Sequence, residues 1–478
     1  MVLSTVSDTR AKIVCTLGPS SQTPAVIGQL IGAGMNVTRH NFSHGNREDH
    51  RQLIEAVRQA SQKAGRIVGI MADLQGPKVR VGRFRDGQAT LAPGAAFTIT
   101  ARDIEGTDRE VSTTYADLPR DLVPGQTILL DDGLIQLKVA SIRGSDIQCE
   151  VLTGGVLKNN KGINVPGAAL SVAAITEKDF QDAEFAVKQG VDFIAMSFVR
   201  RPQDVVQMKE FLKKLGSVVP IVSKVEKPQA LEVIDEIIAV SDAIMVARGD
   251  LGVEMAPELV PGIQKRLIAQ CNLAGKPVIT ATQMLESMVN NPRPTRAEAS
   301  DVANAVLDGS DAVMLSAESA SGRYPVESVA TMKRIIRATE ASTGGNPVQR
   351  RRLPGIVPVH EGVAAAACGI AEQVDAQGIA CITLTGSMAR FISKHRPARP
   401  IFAVSQHDGV LRQLALVWGV EGVLLENLDT NIDDALEAVE RVLVTAGKLK
   451  PGDQLVLTAG LPFGERQATN MVRVDRVR

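Results

Sequence analysis

In the stretch "SKVEKP", Lys224 and Glu226 stand two residues apart. On a strand they project from the same side, because side chains alternate across the pleat. A cation and a carboxylate then face one small volume. The next apolar run, "DAIMVARGD", ends in Asp250, which places a second carboxylate beside Glu226. Two carboxylates with little competing protein ligation suit Mg²⁺ or Mn²⁺, which keep several waters and share substrate oxygens. A structural Lys–Glu–Asp ion-pair network is the plain alternative. Arg39 and Arg80 add planar, bidentate donors for phosphate or carboxylate, and Lys224 a point charge close to a transferring group. This inventory fits an anionic, phosphorylated substrate. Phosphoryl transfer needs mainly positioning and charge neutralisation, and these residues provide both. No G-x-x-x-x-G-K-[ST] loop occurs, so nucleotide phosphates would rest on metal and scattered cations.

The positioning elements are short β-rich runs, each followed by a segment of helical period. They are "KIVCTLG" (12–18), "GMNVTRHNFS" (34–43), "RIVGIMADL" (66–74), "VDFIAMSFV" (191–199), "PIVSKVE" (220–226), "DAIMVARGD" (242–250), "PVITATQM" (277–284) and "DAVMLSAES" (311–319). Helical candidates such as "TPAVIGQLIGAG" and "TRAEASDVANAVLDG" lie between them, several closing in a C-cap Gly. Strands separated by helices pair in parallel, because the crossover needs a dozen residues or more. Eight such units predict a (β/α)8 barrel, with an open doubly wound sheet as the rival. Most runs turn polar at their carboxyl ends: Arg39 and Asn41, Asp73, Ser197, Lys224 and Glu226, Asp250, Thr282, Ser316 and Glu318. In a parallel barrel those ends converge on the face that carries active sites.

Residues 75–168 break the rhythm with Gly, Pro and strand-like pieces, and predict a small β-barrel lid domain inserted at the barrel mouth. The catalytic barrel is then discontinuous, 1–74 and 169–342. After "STGGNPVQRRRLPG", which resembles a linker, strand–helix alternation resumes and predicts an open α/β domain over 343–478. Lys plus Arg (53) equals Asp plus Glu (53), so no global field favours nucleic acid or an anionic membrane. The five cysteines are scattered and form no C-x-x-C, which argues against a disulfide framework or a structural zinc. The amino terminus lacks a signal-peptide core, and no apolar run reaches the ~20 residues of a membrane span. A cytoplasmic protein is expected.

Three smaller features have plain readings. "ARGDLG" contains Arg-Gly-Asp, but a strand end explains it better than adhesion. His40 and His44, at i and i+4, read as residues of the loop after the second strand, with hydrogen bonding rather than metal ligation. "VQRRRLPG" reads as a solvated linker rather than a nucleic-acid contact.

"NFSHG", "GPKVRVG", "SKVEKP", "IMVARGDLGVE", "ATQMLESM" and "RPTRAEASDVANAVLDGSDAVMLSAESASGRYPVESV" together resemble the pyruvate kinase family, and the resemblance runs essentially the full length. It implies transfer of a phosphoryl group from phosphoenolpyruvate to ADP, giving pyruvate and ATP. By the same resemblance, Glu226 and Asp250 would ligate a divalent metal, Mg²⁺ or Mn²⁺, with a second ion arriving on ADP. Lys224 would stabilise charge on the phosphoryl group and enolate oxygen, and Arg39 and Arg80 would contact phosphate. Ala247, Arg248, Gly249 and Asp250, with Thr282, would bind the substrate carboxylate. Thr282, Ser316 and Glu318 would hold the water that protonates the enolate. Asn41, Ser43, His44, Arg80 and Lys161 would help seat the nucleotide, under a lid that excludes water. A homotetramer is implied as well.

Two departures carry expectations of their own. Many family members bind K⁺ and carry a Glu where this chain has Lys78; Leu74 stands where they have a Thr ligand. An ammonium at Lys78 can supply the ion's charge, so activity without K⁺ is expected. In "TLTGSMARFISKHRP" the family's phosphate-cradling loop aligns with Thr383, Leu384, Thr385, Gly386 and Ser387, but Met388 replaces its last Ser. One phosphate could still be held. Activation by a monophosphate (AMP, ribose 5-phosphate or glucose 6-phosphate) is expected rather than by fructose 1,6-bisphosphate. Two other functions compete: a metal-dependent lyase or aldolase using pyruvate enolate, and a non-catalytic metabolite-binding scaffold. The first leaves the inserted lid and the Lys224–Glu226 pair unexplained; the second leaves unexplained why every catalytic position holds competent chemistry.

Overall fold

The computed structural model describes residues 8–168, 170–343, 355–426, 431–461 and 469–478. The expected linker, 342–355, lies almost wholly outside them, and with it the basic run Arg350–Arg352. Parallel strands Lys12–Thr16, Val37–Asn41, Gly69–Asp73, Phe193–Met196, Ile221–Val225, Ala243–Ala247, Val278–Ala281 and Ala312–Leu315 close into a barrel in chain order. Lys12 pairs with Ala312 across the seam, which excludes the open sheet. Each strand is only four or five residues long, shorter than its apolar run. Arg39, Asn41, Asp73 and Lys224 stay within their strands, while Glu226, Thr282 and Ser316 fall just beyond the ladder and Asp250 lies in the helix Arg248–Glu254. His40 differs from expectation in the other direction. It sits inside the second strand, fully buried, with Nε2 3.1 Å from Thr38 Oγ1, and burial pushes its pKa down to about 3.

The helices follow from local chemistry. Arg47–Ala64 begins in a reciprocal capping box between Asn46 and Asp49 and ends where Gly65 turns left-handed at φ 62°. Its buried residues His50, Ile54, Val57 and Ala60 keep helical spacing against the barrel. Arg296–Leu307 starts in the same way, from Thr295 and Glu298.

The insertion between the third and fourth barrel strands builds a six-stranded sheet and a two-stranded ribbon. Its apolar core includes Phe84, Phe97, Ile99, Ile128, Leu137 and Ile147. The two edge strands of the larger sheet, Glu110–Ser112 and Ile163–Asn164, are both bridged next to Arg80–Val81, through Val81 with Thr113 and Arg80 with Gly162. That segment nearly closes the sheet on itself. The strands Gln88–Leu91, Glu110–Ser112 and Ile163–Asn164 escape a reading by apolar pattern, being two to four residues long.

The carboxyl-terminal sheet runs in the order Val420–Leu424, Ile401–Ser405, Gly378–Ile382, Gln454–Ala459 and Met471–Arg476, only the last strand antiparallel. This domain grips the amino-terminal end of the barrel. Ala415 and Leu416 pack among Val14, Met71, Val222 and Met314 of the barrel interior. Arg396 pairs bidentately with buried Asp311, both contacts at 3.1 Å, while its guanidinium stacks 4.8 Å from the Trp418 ring.

Lys12 donates to Val420 O at 2.8 Å across the same junction and has no exposure beyond 1 %. Burial lowers its pKa from 10.5 to about 8, against the opposing pull of Glu421 and Glu340. Below pH 8 the ammonium is charged in both states, and a desolvation cost of about 3 kcal/mol is fully present. Between pH 8 and 10.5 the unfolded chain binds the extra proton, so this residue adds stability as pH rises. Lys12→Met should remove that increment. Melting temperatures of both proteins, compared at pH 7.5 and pH 10, should shift in favour of the parent at the higher pH; a constant gap would exclude a buried charge here.

Candidate active site

The fifth strand delivers Lys224 to the barrel mouth, where its ammonium meets Glu226 Oε1 at 2.8 Å, Asp73 Oδ1 at 3.2 Å and Ser197 Oγ at 2.8 Å. Asp73, at the end of the third strand, also accepts from Arg39 Nε at 2.6 Å, and Arg39 reaches Thr16 Oγ1 at 3.0 Å. Burial alone would lower the pKa of Lys224, but Asp73 and Glu226 outweigh it and the net shift is upward. The lysine is therefore a permanent cation. Burial pushes the Glu226 carboxyl up, Lys224 draws it back and the charge of Asp250 pushes it up again; the balance is upward. Asp73 ends lower than usual because Lys224 and Arg39 overcome its burial. Its importance is invisible in the spacing: an Asp at a strand end does not disclose that it will join two cations from two other strands.

The seventh and eighth strands supply the opposite side. Thr282 follows Ala281 at φ 71°, a left-handed conformation that is costly for a β-branched residue and common at functional sites. Its Oγ1 accepts from Gly249 N at 2.7 Å, which ties it to the turn that opens the Arg248–Glu254 helix. The side chain of Arg248 turns away, to Asp301 at 2.7 Å and the Thr282 carbonyl at 2.8 Å. That leaves the backbone of Gly249 and the carboxylate of Asp250 beside the cavities. Glu318 is fully buried and accepts from Ser316 N at 2.7 Å and Leu285 N at 3.0 Å. Ser316 and Glu318 thus lie together just past the eighth strand.

Two adjoining cavities, of about 470 Å³ and 800 Å³, share Lys78, Asp132, Asp250 and Val253. The larger also touches Gly249 and Thr282. Arg80 and Lys161 stand on the lid side, held by the Asn160 carbonyl at 3.0 Å and by Asp131 at 2.7 Å. Among the described residues no hydrogen bond or ion pair joins either to the Lys224 cluster. Asn41 ends the second strand and caps the turn through Ser43 N at 3.1 Å. The carbonyl of His44 takes the His50 Nε2 contact at 2.9 Å, while partial burial and the charges of Arg80, Lys78 and Arg39 push the His44 imidazole pKa down. Lys78 is half-buried at the lid entrance, with no ion pair among the described residues; Leu74 packs into the barrel core at 2 % exposure.

For a divalent metal the available donors are hard carboxylate oxygens. Glu226 has one oxygen on Phe198 N at 2.8 Å, the other on Lys224, and shares a field with Asp250 that disfavours two uncompensated charges. A cation there relieves that repulsion. No group of three or more His, Cys, Asp or Glu ligands occurs among the described residues. A two-carboxylate set fits Mg²⁺, which takes its remaining ligands from substrate and water.

Far from the mouth, the loop after the strand Gly378–Ile382 is prepared around hydroxyls. Thr383 Oγ1 accepts from Gly386 N at 2.9 Å, and the exposed Thr385 and Ser387 hydroxyls lie 2.6 Å apart. Gly386 is left-handed at φ 78° where it caps the helix Ser387–Lys394, and Leu384 before it is half-buried. Met388 is buried and offers the loop no donor.

A closed parallel barrel with two cations, Arg39 and Lys224, clustered among carboxylates at its carboxyl-terminal mouth, under an inserted β lid, defines the class: a barrel enzyme that handles phosphorylated anions. Family models described as "Pyruvate kinase, barrel domain" and "Pyruvate kinase, alpha/beta domain" match residues 8–329 and 361–475. The chain is 45% identical over 469 residues to a pyruvate kinase of Geobacillus stearothermophilus, covering 97% of this chain and 80% of that one. It is 44% identical over 471 residues to one of Staphylococcus aureus, covering 98% and 80%. A solved pyruvate kinase from Cryptosporidium parvum superposes with a TM-score of 0.91 at 36% identity, covering 98% and 96% of the two chains. The chain belongs to the pyruvate kinase family.

Sequence reasoning missed two residues beside the site, Lys227 and Glu254, which are 2.6 Å apart. Both lie inside quoted motifs, "SKVEKP" and "RGDLGVE", and the signal was a cation and a carboxylate trailing the two expected metal ligands.

Proposed function

We propose that the Lys224 cluster is where this chain carries out the family reaction, transfer of the phosphoryl group of phosphoenolpyruvate to ADP. The observation that carries the reading is Lys224 itself, a cation held between Asp73 and Glu226 at 3.2 and 2.8 Å. Arg39 and Lys224 neutralise charge on the phosphoryl group without reorganising at the moment of transfer. The Ala247–Asp250 turn and Thr282 orient the substrate carboxylate, and Ser316, Glu318 and Thr282 hold the proton-delivering water. Glu226 and Asp250 would hold the protein-bound Mg²⁺ or Mn²⁺, which when bound neutralises substrate oxygens; a second ion accompanies ADP. Asn41, Ser43, His44, Arg80 and Lys161 seat the nucleotide. A coupled assay of ADP-dependent pyruvate release tests the assignment. Pyruvate release that needs no ADP would favour the lyase, and none at all the scaffold.

The division into 1–74 with 169–342, 75–168 and 343–478 belongs to the same proposal, as do a homotetramer and a cytoplasmic location. Among the described residues no helix is long and apolar enough to cross a membrane. Regulation through Thr383, Leu384, Thr385, Gly386 and Ser387 draws support from the helix that follows. It leads to Arg396, whose partner Asp311 directly precedes the eighth barrel strand, and Ser316 follows the end of that strand at Leu315. With phosphoenolpyruvate subsaturating, AMP, ribose 5-phosphate or glucose 6-phosphate should raise the rate severalfold. Strong activation by fructose 1,6-bisphosphate alone would reverse this expectation.

A further inference from the structure

Glu254 is the last residue of the helix that carries Asp250, and it is buried to 5 % exposure. A carboxylate so placed must be compensated. Its Oε1 accepts from two donors at 2.6 Å each: Lys227 Nζ from the barrel and Asn164 Nδ2 from the lid. The second crosses from the edge strand of the lid to the barrel helix that bears Asp250; elsewhere the lid meets the returning barrel segment at Ser171, which bonds Asp121 and Tyr115. Lys227 follows Glu226 directly and lies 5.4 Å from the Phe198 ring, whose own backbone N–H donates to Glu226 at 2.8 Å. Asn164 lies on the edge strand Ile163–Asn164, three residues after Lys161, and pairs with Leu129. One oxygen therefore joins the helix bearing Asp250, the residue after Glu226 and the lid segment bearing Lys161.

We propose that Glu254 is a positioning residue that sets the register of the lid on the barrel, so that Lys161 is held over the mouth that receives the nucleotide. This rests on the reading of Lys161 as a nucleotide contact. Glu254 touches no substrate; it acts through Asn164 and Lys227. The bond to Lys227 fixes the Glu254 carboxylate within the barrel, and the charge-assisted bond from Asn164 to the same oxygen favours one angle of the lid. Losing the acceptor leaves half-buried Lys227 beside Phe198 without its partner and the Asn164 amide without its acceptor. An aspartate at position 164 would be worse, since it would set one carboxylate against another.

The test uses the full-length chain. All five native cysteines are buried, so cysteines introduced at exposed Asp103 on the lid and Lys213 on the barrel can be spin-labelled selectively. Double electron–electron resonance should give one narrow distance distribution for the parent. Asn164→Ala, Asn164→Asp and Glu254→Ala should broaden it, whereas Glu254→Gln, which retains an acceptor for Asn164, should stay close to the parent. In steady-state assays KM for ADP should rise about tenfold in the three broadened variants, as expected for loss of a charged hydrogen bond. KM for phosphoenolpyruvate should change less than about threefold. Should Glu254→Ala fail to fold, Asn164→Ala, at a partly exposed lid position, decides. Unchanged distances in Asn164→Ala overturn the proposal. Broadened distances with an unchanged KM for ADP uphold the latch and instead overturn the role given to Lys161.

Discussion

Lys224→Met should reduce kcat by about a thousandfold or more while leaving the chain folded. The lysine has 9 % side-chain exposure and three partners, so its removal deletes the one ammonium that stands between Asp73 and Glu226. Removing a single preorganised electrostatic group commonly costs 10²–10³ in rate (order of magnitude), and here two carboxylates are also left facing each other. The loss should appear in kcat rather than in KM, because the charge that Lys224 meets develops as the phosphoryl group departs. Arg39 cannot substitute, since its Nε is already engaged by Asp73 at 2.6 Å. A variant that kept parental turnover would sink the role assigned to this residue.

Full activity in tetramethylammonium buffer with Mg²⁺ and no K⁺ is the second expected result. Lys78 stands half-buried at the lid entrance, lines both cavities and carries a charge that none of the described carboxylates takes up as an ion pair. Leu74 is packed in the barrel core and offers no side-chain oxygen to an alkali cation. If a tethered ammonium takes the ion's electrostatic place, added KCl should change the rate by less than about twofold, as ordinary screening would. Lys78→Glu reverses the local charge and should lower the K⁺-free rate by about a hundredfold, the scale of one misplaced charge in a site of this kind. KCl should rescue Lys78→Glu poorly while Leu74 remains, and better once Leu74→Thr supplies an oxygen. Strong stimulation of the parent by KCl would count against the idea.

Much of this arrangement was legible before any coordinates. Alternation put Lys224 and Glu226 on one side, and the structure places them 2.8 Å apart. The run of polar strand ends pointed to a single barrel face because the rule behind it is geometric: parallel strands end together. What the pattern could not carry was length. Apolar runs of seven to ten residues overstate strands of four or five, because burial continues into the loops that cover the barrel. His40 was misplaced for the same reason: a polar residue inside a buried strand looks like the start of a loop. The lid edge strands were too short for any periodicity to register. The Glu254–Asn164–Lys227 junction depends on contacts between segments some 30 to 90 residues apart, which no local spacing encodes.

The insertion of Ala415 and Leu416 among the barrel's interior side chains also bears on how the molecule can be cut and how it came to be joined. The catalytic barrel has no complete floor of its own. An excised barrel would expose an apolar well at its base, strand the charge of Asp311, which now meets Arg396 of the carboxyl-terminal domain, and leave Asp192 with Arg58 but without Arg412. The two parts therefore share one buried junction of apolar and charged contacts at the base of the barrel. Any change that loosens the carboxyl-terminal domain should also be felt in the stability of the barrel.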